Sequence, residues 1–466
     1  MQLTGPLFLF ILLPLSLCVL HFFPLRHRRM ALSLFSVIWY VLINYGNLSG
    51  LLHVALLILS ALLLVYLPLP HSAKIAKLRT TIGVLIPVLS FLAARLLAEY
   101  GCQWYIYPIG LAYISLGSVS LAVDMARGDT VRPKNPVDVV GYLLFFPILV
   151  AGPIIQSKHY FDNTEKPCLS SKMLSIGARR YMIGFIKRIA MAAVLLRALR
   201  QLMEYVSYMI SIQLVLLLLA VSYLAFYFFF TGTADMARGI CAMFGIPVER
   251  DRGHILSATS PDRLVCGIAL SLYRFMLDYV YRPLRRVLPF KKGWITARIL
   301  MFVLSVLFLR TRPEMLLFAL PMLLLLLISM LRRKRARLWL RILLTPVTVL
   351  ACSFFTLAIM MDEPMKMFTL FSEAFRSTTD FHLYHIFEAV RDFRYLLVAV
   401  TIFLILIPVT YLRTWFLRKA NVKVAITVRY VSLALLFSCF VASLFYLMPQ
   451  FPGYADQAYG FYQYTR

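Results

Sequence analysis

PDRLVCGIALSLYRFMLDYVYRPLRR, residues Pro261 to Arg286, lies between apolar runs of lipid-crossing length; it is too charged to face lipid and too aromatic for a solvated loop. Read as a helix up to a break at Pro283, it places Arg274, Asp278 and Arg282 four residues apart on one face, one carboxylate between two guanidiniums. Ionisable groups at membrane depth are costly and normally face a polar interior. Two readings of the segment stand side by side: a structural ion triad stiffening a helical bundle, or the wall of a substrate site.

Working outward, composition sets the class. With 466 residues, 61% hydrophobic and 15% charged, and a mean hydropathy of +0.80, the chain reads as an all-α, polytopic integral membrane protein, a single membrane domain over 1–466. Runs near twenty residues long appear around 4–23, 30–48, 50–68, 80–98, 105–123, 138–156, 208–230, 295–309, 314–331, 340–361, 395–412 and 428–447, giving about eleven or twelve spans, with 178–200 a further amphipathic candidate. No positive residue precedes the first run and Arg26, His27, Arg28 and Arg29 follow it, so it reads as a retained span with the N-terminus outside. The net charge of +28 gathers in short connections such as 332–337 (RRKRAR) and 418–423, the positive-inside pattern of a cell inner or plasma membrane protein that meets anionic lipid headgroups; nucleic-acid binding is not expected. Seven scattered cysteines without a CxxC pair read as small core residues, so neither a metal site nor a disulfide framework is expected.

Interruptions in the apolar runs carry further information. LLFFPILVAGPII, 143–155, holds Pro147, Gly152 and Pro153, so the helix must break there, where it suits a cavity wall. GARRYMIGFIKRIA, 177–190, spaces Arg179, Arg180, Lys187 and Arg188 along an amphipathic stretch expected near the headgroups, its cations snorkelling. FYFFFTGTADMA, 226–237, is read as an aromatic span ending at Thr231–Thr233 that delivers Asp235 close to the interface, with Arg238 near enough to pair.

In order, these pieces resemble the membrane-bound O-acyltransferase family, and more closely its bacterial, alginate O-acetylation-like polysaccharide branch. LFLFILLPLSLCVLHFFP (7–24), YPIGLAYISLGSVSLAVDMARG (107–128), LFFPILVAGPI, GFIKRIA and TADMARGICAMFGIP (233–247) follow the family order. From Ser260 and Pro261 to Asp278, Tyr279, Tyr281 and Pro283 the segment is similar to the family pattern ending in DYxYxPL, and the tail FYQY, 461–464, is similar to that branch's ending. The resemblance implies acyl transfer from an activated donor to a hydroxyl or amine, through a tunnel meeting at a His midway across the membrane, and in the bacterial branch toward an extracytoplasmic polymer.

The chain departs from that pattern where the chemistry is done. Counted from Pro261, the family's first His position falls on Ala269 and its Trp on Ile268; the second falls near Leu309, with Phe308 at the Trp and Arg310 at the Gly position. An Asp position before the Ser-Gly turn carries Phe229. General acid or base help is worth roughly 10²- to 10⁴-fold, and a methyl or isobutyl group supplies none. No His lies between His254 and His382. His21, His27, His53, His71 and His159 read as interfacial or packing residues, while His382 and His385 are spaced to share a helical face. Cys266 reads as an inert thiol, Met360 to Phe375 as lipid-facing or core, and no GxSxG, P-loop or HExxH motif offers another chemistry.

The expectation is therefore a pseudoenzyme: a non-catalytic subunit, with protein partners, of machinery that builds, modifies or exports a cell-surface polysaccharide, requiring no cofactor. One alternative keeps the O-acyltransferase, using Asp235, Arg238, Tyr273, Arg274, Asp278, Tyr279, Arg282 or Arg310 as cavity-lining groups and an acyl thioester as donor. Another is a transporter of lipids or lipid-linked glycans.

Overall fold

The structure is a computed structural model. It describes residues 5, 7–22, 28–68, 72–99, 102, 104–149, 152–165, 170–206, 210–248, 260–288, 293–310, 312, 314–331, 338–361, 363–377, 397–398, 400–402, 404–405 and 422–450. Outside them fall the readings of Arg26, His27, His71, Cys168, His254, His382, His385, the basic stretches 332–337 and 418–421, most of 395–412 and the tail; the side chain of His21 is likewise undescribed.

All described elements are helical. A π-helical turn, Phe8–Leu12, runs into α1 (Leu13–Phe22), followed by α2 (Arg28–Ile43), α3 (Leu48–Tyr66), α4 (Ala73–Glu99) and α5 (Leu111–Arg127). Local chemistry sets their ends: the Asn47 side chain accepts from the Gly50 N–H at 2.8 Å to start α3, and Gly128, at φ 78°, stops α5 by donating to the carbonyls of Asp124 and Met125. Then come α6 (Pro136–Leu143), α7 (Ser157–Glu165), α8 (Ser171–Ile186), a π-helical turn Lys187–Ala193, α9 (Val194–Tyr205) and the long α10 (Ile212–Met243). The quoted segment forms α11 (Pro261–Ile268), α12 (Leu270–Met276), a π-helical turn Leu277–Tyr281 and α13 (Arg282–Val287). After it lie α14 (Gly293–Leu309), α15 (Glu314–Leu331), α16 (Leu338–Met360), α17 (Lys366–Arg376) and α18 (Val422–Ala442).

Among the described residues four helices are long and apolar enough to cross a membrane, Leu48–Tyr66, Ala73–Ala98, Ile212–Met243 and Thr427–Leu447, or five counting the bent pair α11 and α12–α13. The eleven or twelve spans read from the sequence are not reached, because several runs make shorter helices: Phe8–Leu20, Gly293–Leu309, Glu314–Met330 and Leu344–Met360. The run at 105–123 loses its start to a turn at Pro108–Gly110, and the run at 138–156 stops at Leu143. Exposed leucines along α2 to α4 and α15, among them Leu34, Leu52, Leu56, Leu89 and Leu324, present a surface suited to hydrocarbon.

Helix α10 is the spine. Its 32 residues make it ~48 Å long, more than the ~30 Å hydrocarbon layer, and 61% of its apolar window is buried. One apolar cluster gathers α1 to α3, α6 and α8 against its second half; another gathers α9, α11 and α14 to α17 against its first half. Rather than lying along the headgroups, α8 packs antiparallel on α10, backbone to backbone. Gly177 meets Gly239 and Gly184 meets Gly232, so a Cβ at Gly184 would lie 2.6 Å from the Gly232 carbonyl oxygen. Threonines that looked like the end of a span continue the helix, Thr231 and Thr233 donating to the carbonyls of Tyr227 and Phe229 at 2.7 and 2.8 Å.

The quoted segment breaks elsewhere than its proline suggests. A bend of 120° falls at Ala269, whereas Pro283 sits inside helical backbone. The π-helical turn just before it re-registers the ladder, Arg282 N–H reaching the Leu277 carbonyl, so the donor that proline lacks is not demanded. The stretch 143–155 does break as its prolines require: α6 ends, and residues 152–156 are non-helical.

Candidate functional site

The Ala269 bend, the non-helical strand at Gly152–Ile154, the middle of α10 and the ends of α14 to α16 converge on a chamber of about 110 Å³. Its walls include Ala269, Ile268, Phe308, Leu309, Phe226, Phe230 and Arg238. Both positions where the resemblance calls for histidine thus share one cavity, and both are apolar. Phe308 stacks on Phe91 of α4 with ring centroids 5.6 Å apart, which holds the wall shut on that side.

A larger cavity of about 460 Å³ adjoins it, sharing Ile154 and Ser271 as walls. This vestibule is polar: Arg274, Asp278, Arg282, Gln156, Lys158, His159 and Asn163 line it. Asp278 is ion-paired with Arg282 and accepts from Gln156 Nε2 at 2.9 Å. Arg127 donates to the Asp278 backbone carbonyl at 3.0 Å, its guanidinium 5.5 Å above the Tyr279 ring.

A buried polar knot beneath the vestibule fixes it in place. Asp124, fully buried at the end of α5, accepts from the Tyr279 hydroxyl at 2.8 Å, from Ser157 at 2.7 Å and from Ser120 at 3.1 Å. Ser157 N–H also donates to the Ser120 hydroxyl at 2.9 Å. Fully satisfied, such a network orients what it holds. Tyr279 belongs to the knot and not to the cavity walls. Replacing it with phenylalanine leaves Asp124 one donor short, and is expected to lower stability by about 1–3 kcal/mol; thermal unfolding of the detergent-solubilised chain measures this, and an unchanged midpoint would show the hydroxyl to be dispensable.

The other sequence candidates serve elsewhere. Tyr273 accepts from Arg298 at 2.6 Å, and Arg298 is ion-paired with Asp262, a clamp between α11, α12 and α14. Buried Arg310 donates to the carbonyls of Ala358, Ile359 and Met361 at 3.2, 2.8 and 3.0 Å, closing the end of α16. Asp235 faces α8. Lys187 reaches it at 2.7 Å, Arg180 at 3.2 Å and Arg238 at 3.8 Å, so two cations expected to snorkel are spent on one part-buried carboxylate. Arg188, also expected to snorkel, is buried with its guanidinium 3.7 Å above the Phe229 ring. Phe229 therefore packs under a cation where an acid was expected by resemblance. Between Met360 and Phe375, Met367 is buried, Phe368 stacks on Phe318 at 5.2 Å, and Phe375 is exposed.

Sequence reading passed over Gln156, His159 and Asp124 as site residues. The signal for the first two was the Gly152–Pro153 break, which ends a helix and so presents the next polar residues to a cavity. For Asp124 it was a carboxylate closing an apolar helix just before Arg127 and Gly128. His159, read as interfacial, lines the vestibule together with Asp278.

Comparison with known proteins identifies the family. Residues 35–362 match the model of MBOAT, the membrane-bound O-acyltransferase family. Relatives include probable alginate O-acetylases AlgI of Pseudomonas fluorescens, 25% identical over 60% of this chain and 56% of the relative, and of Azotobacter vinelandii, 25% identical over 60% and 59%. That of Pseudomonas aeruginosa is 26% identical over 40% of this chain and 36% of its own. The chain spans less than two thirds of the length of these curated relatives. With the family match covering well over half of its residues, this chain belongs to the membrane-bound O-acyltransferase family.

Proposed function

We propose that the chain is a membrane subunit that has given up acyl transfer and acts structurally in machinery that builds, modifies or exports a cell-surface polysaccharide. It lies in the inner or plasma membrane with its N-terminus outside and works beside protein partners. One observation carries this reading: the chamber where the family's imidazoles are expected is walled by Ala269, Leu309 and Phe308. Its polar lining includes Tyr113, Arg238 and Cys352, and among the described residues neither a carboxylate nor an imidazole lines it. The chamber is also small beside the ~300–1,000 Å³ of ordinary ligand pockets.

The test pairs chemistry with a cell. The purified chain, given an acetyl thioester and a hydroxylated acceptor, is expected to form no product above a protein-free blank, while cells lacking the chain lose polymer modification or export. Transfer that Arg238→Ala abolishes would overturn the reading.

A second reading is favoured by His159. An imidazole lining the same vestibule of ligand size as Asp278 suits a transferase whose chemistry has moved toward the cavity mouth, with Arg274 and Arg282 neutralising a donor's anionic groups. Under it, His159→Gln would lower acyl transfer roughly 10²-fold or more; under the structural reading that variant changes nothing.

A further inference from the structure

A third cavity, remote from the chamber, opens between α3, α4 and α5. It holds about 390 Å³, and its walls are Ala61, Leu64, Val65, Pro87, Leu121 and Ala122 with neighbours on the same three helices. Its hydroxyls do not make it polar. Ser60, Thr80 and Ser118 donate to the carbonyls of Leu57, Ala76 and Ile114 at 2.7, 2.9 and 2.9 Å, so the groove offers mainly hydrocarbon and suits an alkyl chain.

One end of the groove is strongly cationic. Lys77 and Arg79 line it, and Arg79 donates to the Val65 carbonyl at 2.8 Å. Arg132 donates to the next carbonyl, Tyr66, at 2.9 Å, with its guanidinium 5.0 Å over the Tyr66 ring. Two guanidiniums are thus fixed side by side on the last turn of α3. Among the described residues no carboxylate pairs with Arg79, Arg132 or Lys77, and the nearby Asp138 is engaged by Arg29 at 3.7 Å. A guanidinium has five N–H donors, and each of these two gives one carbonyl bond, which leaves a fork of donors for another acceptor. Like charges held together at the mouth of a greasy groove call for an anion that carries a chain.

We infer that this groove binds an anionic glycerophospholipid of the surrounding membrane, one acyl chain lying between α3, α4 and α5 and the phosphate resting on Arg79 and Arg132. The site is independent of the chamber and of whether the chain transfers acyl groups.

Titration of the full-length, detergent-purified chain with phosphatidylglycerol, read by native mass spectrometry, tests it. One tightly retained lipid is expected, with phosphatidylcholine of the same chains and inorganic phosphate each held at least tenfold more weakly. Arg79→Gln combined with Arg132→Gln should weaken retention roughly thirtyfold, the effect of about two interfacial cations. Ala126→Trp, which fills the groove from its exposed rim and leaves the charges intact, should weaken it comparably. Replacing the exposed Arg285 and Arg286 by glutamine should leave it unchanged. Equal retention of phosphatidylcholine, tighter binding of a polyprenyl phosphate, or indifference to both the Arg79/Arg132 pair and Ala126→Trp would overturn the assignment.

Discussion

Gly184→Leu is expected to eliminate folded protein. Its side chain would enter space already filled by the Gly232 carbonyl oxygen and the Met236 backbone nitrogen, 2.6 and 2.5 Å from the first added carbon. These are backbone atoms on a second helix, so no rotamer change relieves the clash; α8 and α10 must separate. Separation also opens the Gly177–Gly239 contact on the same helix pair and the part-buried ion pairs that Asp235 makes with Arg180 and Lys187. Overpacking a core usually costs about 1–3 kcal/mol, and a clash against backbone at two linked contacts belongs at or beyond the top of that range. Monodisperse yield on size exclusion in mild detergent is the measurement. Gly46→Asn is the control, since Gly46 has φ 84° but nothing within 4 Å of a Cβ, and asparagine tolerates that backbone. A Gly184→Leu protein that behaved like wild type would mean the two helices are not this close.

Asp235→Ala is the second large effect expected. The carboxylate answers Lys187, Arg180 and Arg238, and Arg238 is only 3% exposed. Removing it takes a shared carboxylate from all three cations, Lys187 above all, and losing one partner of a buried pair costs up to about 3–5 kcal/mol. Asparagine should rescue little, because it restores the shape without the charge. The informative comparison is Asp235→Ala with Lys187→Met: if the cost is the stranded cation, the double variant should lose less stability than the two single variants summed. Additive losses in thermal unfolding would instead indicate that the residues stabilise the fold separately.

Backbone rules were the most legible part of the sequence. Pro147, Gly152 and Pro153 force a break within a few residues whatever surrounds them, and that break does become a chamber wall. Pro283 was misleading because the helix wound wider one turn earlier, an adjustment driven by packing and invisible to local pattern. The span count goes unconfirmed at Arg28–Ile43 and Leu111–Arg127, whose helices are 16 and 17 residues long, because hydropathy registers apolar content and not where a turn cuts it. The cations at Arg180 and Lys187 were misplaced for another reason. Their partner Asp235 lies 55 and 48 residues away in the chain, so only the folded pairing of α8 with α10 reveals it. By the same token, Ala269 and Leu309 could be flagged one at a time from the sequence, while their meeting in one cavity required the fold.

The corner at residue 269 has a wider consequence. It is formed by an alanine at φ −144° and ψ 63°, on the negative-φ side open to any ordinary residue, so nothing about the turn depends on the side chain occupying it. The bend therefore makes no demand for an alanine: the backbone that shapes the chamber wall at this point accepts a larger side chain as readily as a methyl group.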